Sequence, residues 1–220
     1  MHGLAFDVAH MLAGAMLVAS FALLFQRRMS GVIDTYAVHS LILTVAAAWQ
    51  AYIQDGHHLF VTAAVALVFK TLIIPIALRR IVRRLEIHRS VETVIGVGPT
   101  MLLGVGLVAL SILLIFPVTE TADALAREDL ALALSVILLG LLMMITRRNA
   151  ITQVIGFLSL ENGLILAAVG VRGMPLVVEI SVAFSVLAAF VVFGVFFFRI
   201  RERFDTLDVQ ALGEFRGERR

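Results

Sequence analysis

Long apolar runs separated by short polar joints repeat along the whole chain. Seven runs can be drawn, over about residues 4–25, 32–53, 59–78, 94–116, 130–146, 151–171 and 174–198. Most are close to the roughly 20 residues a helix needs to cross a hydrocarbon layer about 30 Å thick. The runs are continuously apolar rather than alternating, and about twice as long as a barrel strand, which argues against a β-barrel. The pattern predicts an all-α, polytopic membrane bundle of about seven transmembrane helices.

The joints predict its orientation. "QRRMSG" follows the first run, "LRRIVRRLEIHR" the third, "TRRN" the fifth and "RIRER" the seventh. Between them lie "QDGHH", the acidic "TETADALARED" and the short "VRGMP". Basic and non-basic joints alternate, apart from isolated arginines. By the positive-inside rule this places the N-terminus outside and the C-terminus in the cytoplasm. The first run lacks a basic leader, is longer than a signal-peptide core and ends in Gln26-Arg27-Arg28 rather than small residues, so it reads as a retained helix.

Two prolines interrupt the runs. Pro99 stands near the start of the fourth, where a missing N–H is tolerated. Pro75 lies inside the third and predicts a kink. In "GVGPTMLLGVG" the glycines offer a neighbouring helix close approach; without a preceding strand they are no phosphate loop. The charged C-terminal tail reads as a solvated segment.

Composition agrees with the runs. The 220 residues are 60% hydrophobic and only 15% charged, an imbalance foreign to soluble domains. The net charge of +2 comes from basic clusters at the joints and predicts topology rather than nucleic-acid binding. With no cysteine, the chain cannot offer thiolates to an iron–sulfur or nickel–iron centre. No cofactor is therefore expected on this chain, and redox chemistry would belong to partners. His57-His58 in an outer joint lack further ligands at helical spacing, so no metal site is expected.

The remaining candidates are ionisable residues inside the runs. Such a residue costs on the order of 2.5–3.5 kcal/mol at the bilayer centre on insertion scales, and it normally faces a bundle interior or water. Glu161, in "AITQVIGFLSLENGLILAAVG", lies near the centre of its run, roughly 15 Å from either face at 1.5 Å per residue. A carboxyl cannot snorkel that far, and a poorly solvated one can hold or exchange a proton. Its neighbour Asn162 faces about 100° away and reads as a hydrogen-bonding partner for another helix. Lys70, the only lysine, is about 13 Å short of the Arg79-Arg80 edge, too deep for snorkelling alone. Its depth matches that of Glu161, which predicts a buried pair or a shared water path. Glu179 stands on the outer side of the last run, a shallow carboxylate or the mouth of a proton path. Ser185 and Ser181 follow on the same helix, where serine commonly bonds its own backbone. His39, in the second run, is either a packing residue or a proton carrier.

"RRN", "ITQVIGFLSLENGLILAA" and "GMPLVVEISVAFSVLAAFVVFGVFFFRIRERFDTLDV" closely resemble the hydrogenase-4 component E family, membrane subunits of formate hydrogenlyase-type complexes. The same stretch is more distantly similar to the K subunit of NADH:quinone oxidoreductase and to the C subunit of multisubunit cation/proton antiporters. The resemblance implies a division into a three-helix membrane region (1–90), a fourth helix with its acidic outer loop (91–125), a K-subunit-like three-helix region (126–209) and a cytoplasmic tail (210–220).

It also implies a role. In the K subunit, carboxylates of the second and third helices belong to the proton-conducting axis; here the corresponding helices carry Glu161 and Glu179. Glu161 lies about one helical turn further from the "RRN" loop than the family spacing implies, which preserves its face. Ser185 is nearer than Glu179 to the depth of the third-helix carboxylate. The chain is expected to be a non-catalytic subunit contributing to proton or sodium translocation, driven by redox chemistry on partner subunits. Its partners would be antiporter-like membrane subunits and a membrane subunit of the quinone-oxidoreductase H type, with hydrogenase-like and iron–sulfur subunits beyond. An antiporter complex without redox partners and a purely structural assembly role are the alternatives.

Overall fold

A computed structural model of the chain describes residues 2–84, 93–118, 124–170 and 194. Its helices are α1 (His2–Phe25), α2 (Met29–Gln54), α3 (His57–Val65), a π-helical segment (Ala66–Ile73), α4 (Ile74–Arg84), α5 (Val97–Val118), α6 (Ala124–Thr146) and α7 (Ala150–Gly170). Among the described residues, six stretches are long and apolar enough to cross a membrane, the third running unbroken through α3, the π segment and α4. Backbone groups in lipid must be satisfied within their own segment, which is why apolar runs of this length take helical form. The protein is a multi-pass membrane protein with an all-α fold. Apart from residue 194, the seventh expected run, with Glu179, Ser181 and Ser185, lies outside the described residues.

Successive crossings run in opposite directions, and joints expected on one side of the membrane do meet. Asp34 and Arg79, at the starts and ends of neighbouring crossings, pair at 2.6 Å. Val94 N–H donates to the Thr146 carbonyl at 2.8 Å. At the other end His10 Nδ1 lies 3.0 Å from Asp129 Oδ1, and Gln54 Nε2 donates to the Val169 carbonyl at 3.0 Å. The turn there uses Asp55 in the left-handed region (φ 50°), where its N–H caps α2 on the Ala51 carbonyl. Asp is one of the few side chains that tolerates this conformation.

The third crossing differs from the expected kink at Pro75. Eight residues before the Ile74-Pro75 step wind as a π-helix. Proline offers no N–H, and its ring crowds the carbonyl of residue i−4, here Thr71. A widened turn accommodates both, as membrane helices commonly do. The Thr71 hydroxyl donates to the Ala66 carbonyl, five residues back, at 3.4 Å. Pro99 sits in the first turn of α5, where no N–H is missed.

Helix α7 is the axis of the bundle: 67% of its crossing is buried, against 17% for α5. The α6–α7 contact is set by glycine. A Cβ on Gly140 would lie 2.6 Å from the Leu160 nitrogen, and one on Gly156 would lie 2.9 Å from the Met144 nitrogen. A Cβ on Gly163 would meet Ile137 at 2.8 Å. All three bring the two backbones into direct contact, the usual device for joining helices where lipid removes the hydrophobic drive. Helix α5 is held to α6 by buried hydroxyls: Ser135 donates to the Ala131 carbonyl at 2.7 Å and accepts from Ser111. Leu23, Tyr36, Leu78, Leu139 and Ile155 fill the core beside the polar centre.

Backbone cannot yield as a flexible side chain does, so Gly156→Ala should destabilise the fold by about 1–3 kcal/mol. Gly106→Ala, which meets nothing within 4 Å, should leave the thermal unfolding midpoint in detergent nearly unchanged.

Candidate functional site

The polar positions of four crossings converge at mid-bundle. Lys70, carried on the π segment, turns inward and its Nζ lies 2.9 Å from Glu161 Oε1. The two side chains are 0% and 1% exposed, so snorkelling does not describe Lys70. The same ammonium donates to Asn162 Oδ1 at 2.9 Å. Asn162 Nδ2 lies 3.0 Å from His39 Nδ1 and donates to Ser40 Oγ at 3.1 Å. On its other edge His39 Nε2 lies 3.0 Å from Ser20 Oγ and 3.5 Å from Ser159 Oγ. Ser20 in turn donates to the Met16 carbonyl at 2.9 Å.

Local structure explains who meets whom. His39 and Ser40 stand next to each other on α2, and Ser159, Glu161 and Asn162 fall within one turn of α7. Glu161 and Asn162 diverge by about 100°, but a lysine stem inserted between α2 and α7 reaches both. The π turn changes which residues of the third crossing share a face, and Lys70 lies inside it. Single π turns are found disproportionately at functional sites.

The energetics weigh against a purely stabilising role. At 2.9 Å the attraction of two unit charges is on the order of 5 kcal/mol at an effective dielectric near 20. Desolvation costs several kcal/mol per ion, so such a pair roughly breaks even against apolar residues of like volume. What it does place is an ammonium donor and a carboxylate acceptor in direct hydrogen-bond contact at 2.9 Å. Lys–NH₃⁺/Glu–COO⁻ and Lys–NH₂/Glu–COOH differ by a single transfer along that line.

Of the residues the sequence singles out, Glu161, Lys70, His39 and Asn162 are brought into one cluster, while Glu179 and Ser185 lie outside the described residues. Asn162 bonds neighbouring helices as expected, on two sides at once. Ser20, Ser40 and Ser159 carry no signal in the sequence, because an isolated serine in an apolar helix usually bonds its own backbone; Ser20 does that as well.

Arg147 of the "TRRN" joint counts in the sequence as a topology charge. It is instead 1% exposed, and its Nη2 donates to the carbonyls of Leu23, Leu24 and Gln26 at 3.1, 2.7 and 3.0 Å. These are orphan carbonyls at the end of α1, and burial lowers the pKa of the arginine that caps them. The available signal is the "LLFQRR" end of α1, which has no glycine to close it. Away from the cluster, a cavity of about 20 Å³, room for about one water, opens beside Gln50 and Asp129. Leu43 and Leu166 line it, each one turn beyond His39 and Asn162.

The chain is 28% identical over 212 residues to hydrogenase-4 component E of Escherichia coli strain K12, covering 96% of this chain and 98% of that protein. Hydrogenase-4 component E is thus a homologue. The protein of that name from Shigella flexneri gives the same figures. An uncharacterized protein of Mycobacterium tuberculosis is 26% identical over 206 residues, 93% of this chain and 94% of its own. No family model matches the chain. No solved structure matches it. The likeness to component E spans both the half that carries Lys70 and the half that carries Glu161.

Removing one partner of a buried pair leaves an uncompensated charge, so Lys70→Met should destabilise the protein by about 3–5 kcal/mol. The double change Lys70→Met with Glu161→Gln should recover most of that loss in the same detergent unfolding assay.

Proposed function

We propose that this chain is a non-catalytic integral membrane subunit of a hydrogenase-4-type complex, in which it carries part of a proton path. Redox chemistry on partner subunits drives the movement. Neighbours in the membrane are antiporter-like subunits and one of the quinone-oxidoreductase H type, with hydrogenase-like and iron–sulfur subunits attached through them. Near-full-length likeness to hydrogenase-4 component E supports the complex. The observation that carries the proton path is the Lys70–Glu161 pair, 2.9 Å apart and shut off from solvent.

The geometry favours a proton over sodium. A sodium ion needs several oxygens to replace its hydration shell. Here the place beside the Glu161 carboxylate and the Asn162 carbonyl is filled by a tethered ammonium. A second cation would meet that like charge at close range, whereas a proton needs only to move along the existing bond. Transfer between Lys70 and Glu161 changes the field felt by adjoining subunits, and that change is the coupling signal. Glu179 extends the path outward in this reading.

In the intact complex reconstituted in vesicles, Glu161→Gln should abolish proton movement in preparations whose subunit composition matches the wild type. Retained proton movement would leave only an assembly role for the cluster. Wild-type transport should also be indifferent to replacement of sodium by potassium, as read with a pH-sensitive dye. A strict sodium requirement would point to a cation/proton antiporter instead.

A further inference from the structure

Asn162 occupies a place no titrating residue fills. Its Oδ1 accepts from Lys70, and its two N–H groups go to His39 Nδ1 and Ser40 Oγ. An amide neither gains nor loses a proton near neutral pH, and its two ends are unlike: one only accepts, the other only donates. The polarity of the whole chain of bonds follows from that.

Charged Lys70 has donors only, so it must face Oδ1. Nδ2 then faces His39 and requires a lone pair on Nδ1. The imidazole proton is thereby assigned to Nε2, which donates to Ser20 Oγ, and Ser20 passes its own hydrogen to the Met16 carbonyl. The amide, imidazole and Ser20 donors in the series each have an acceptor. Imidazolium at His39 would set Nδ1–H against Nδ2–H. Relief would require the amide to turn over, which places Nδ2 against Lys70 and demands a neutral amine there.

We infer that Asn162 is a positioning residue that makes protonation of Lys70 and protonation of His39 mutually exclusive. The two bases then count as a single proton site, and the orientation of the amide records which of them is loaded. The inference deepens the proton-path reading and rests on it for its functional meaning. Among the described residues, the other titratable groups around His39 are Glu161 on α7 and Tyr36, one turn back on α2; α1 presents the Ser20 hydroxyl. The π segment contributes Lys70 alone.

The test uses the intact complex with ¹⁵N-histidine, reconstituted in vesicles, with the His39 signals identified by their loss in His39→Gln. Solid-state nitrogen spectra distinguish the two neutral tautomers from imidazolium. In the wild type, His39 should remain protonated on Nε2 alone between about pH 5 and pH 8, the range in which an unperturbed histidine changes charge. The double variant Lys70→Met with Glu161→Gln frees the amide to turn, and His39 should then take up a second proton within that range. Asn162→Leu removes the polarity while keeping Lys70, and the single tautomer should give way to a mixture.

Imidazolium at His39 in the wild type while Lys70, followed by ¹⁵N-lysine labelling, is still an ammonium, or an unchanged single tautomer in Asn162→Leu, overturns the inference. Should Asn162→Leu fail to assemble, Asn162→Asp replaces it. That carboxylate accepts from both sides, so His39 should carry a proton on Nδ1, and an imidazole still protonated on Nε2 alone overturns the inference equally. The readout is a nitrogen spectrum, so it succeeds or fails apart from the proton movement measured for Glu161→Gln.

Discussion

A charged ammonium held at the centre of an apolar bundle must find oxygen, and the requirement organises what lies around it. Lys70 has three donors and no acceptor. Glu161 and Asn162 answer it from α7, and Asn162 then needs acceptors of its own, which α2 provides through His39 and Ser40. The demand ends on α1, where Ser20 returns its hydrogen to backbone. Four crossings are therefore tied together by the consequences of one lysine. The glycine contacts between α6 and α7 serve the same end, because they fix α7, the helix that carries three of the cluster's side chains.

Placing charge at this depth has little stabilising return. Pair attraction and desolvation are of similar size, and apolar side chains would fill the space as well. The two partners are nevertheless in direct hydrogen-bond contact, so a proton can pass between them without rearrangement. In the proposed function that contact is the link to energy coupling. It also explains why the amide beside it matters: a non-titrating group of fixed polarity can order events between two bases without carrying the proton itself.

Hydrophobic content alone makes the crossings legible. Runs near 20 residues admit only helix in lipid, and the alternation of basic joints matches the joints that meet at each end of the bundle. Lys70 and Glu161 are legible for a related reason, since an ionisable residue too deep to snorkel must find a partner or water inside the protein. Arg147 is not legible as a buried cap, because "TRRN" looks the same whether both arginines meet water or one turns back to close α1. The π segment is hidden too: Pro75 announces that a backbone bond is missing but not how the preceding turns accommodate its loss.

Taken alone, then, the amino-acid order determined what is apolar enough to cross the membrane and which side chains could not be left alone there. These are properties of composition and spacing, set by the bilayer and by the length of a helix. Which partners meet was decided only in three dimensions. Residues 39, 70 and 162 come from separate crossings, and their contact depends on helix rotation, on the extra width of one π turn, and on how closely glycine lets two backbones approach. Such rotations and close approaches depend on the whole packed bundle, and no local stretch of sequence records them.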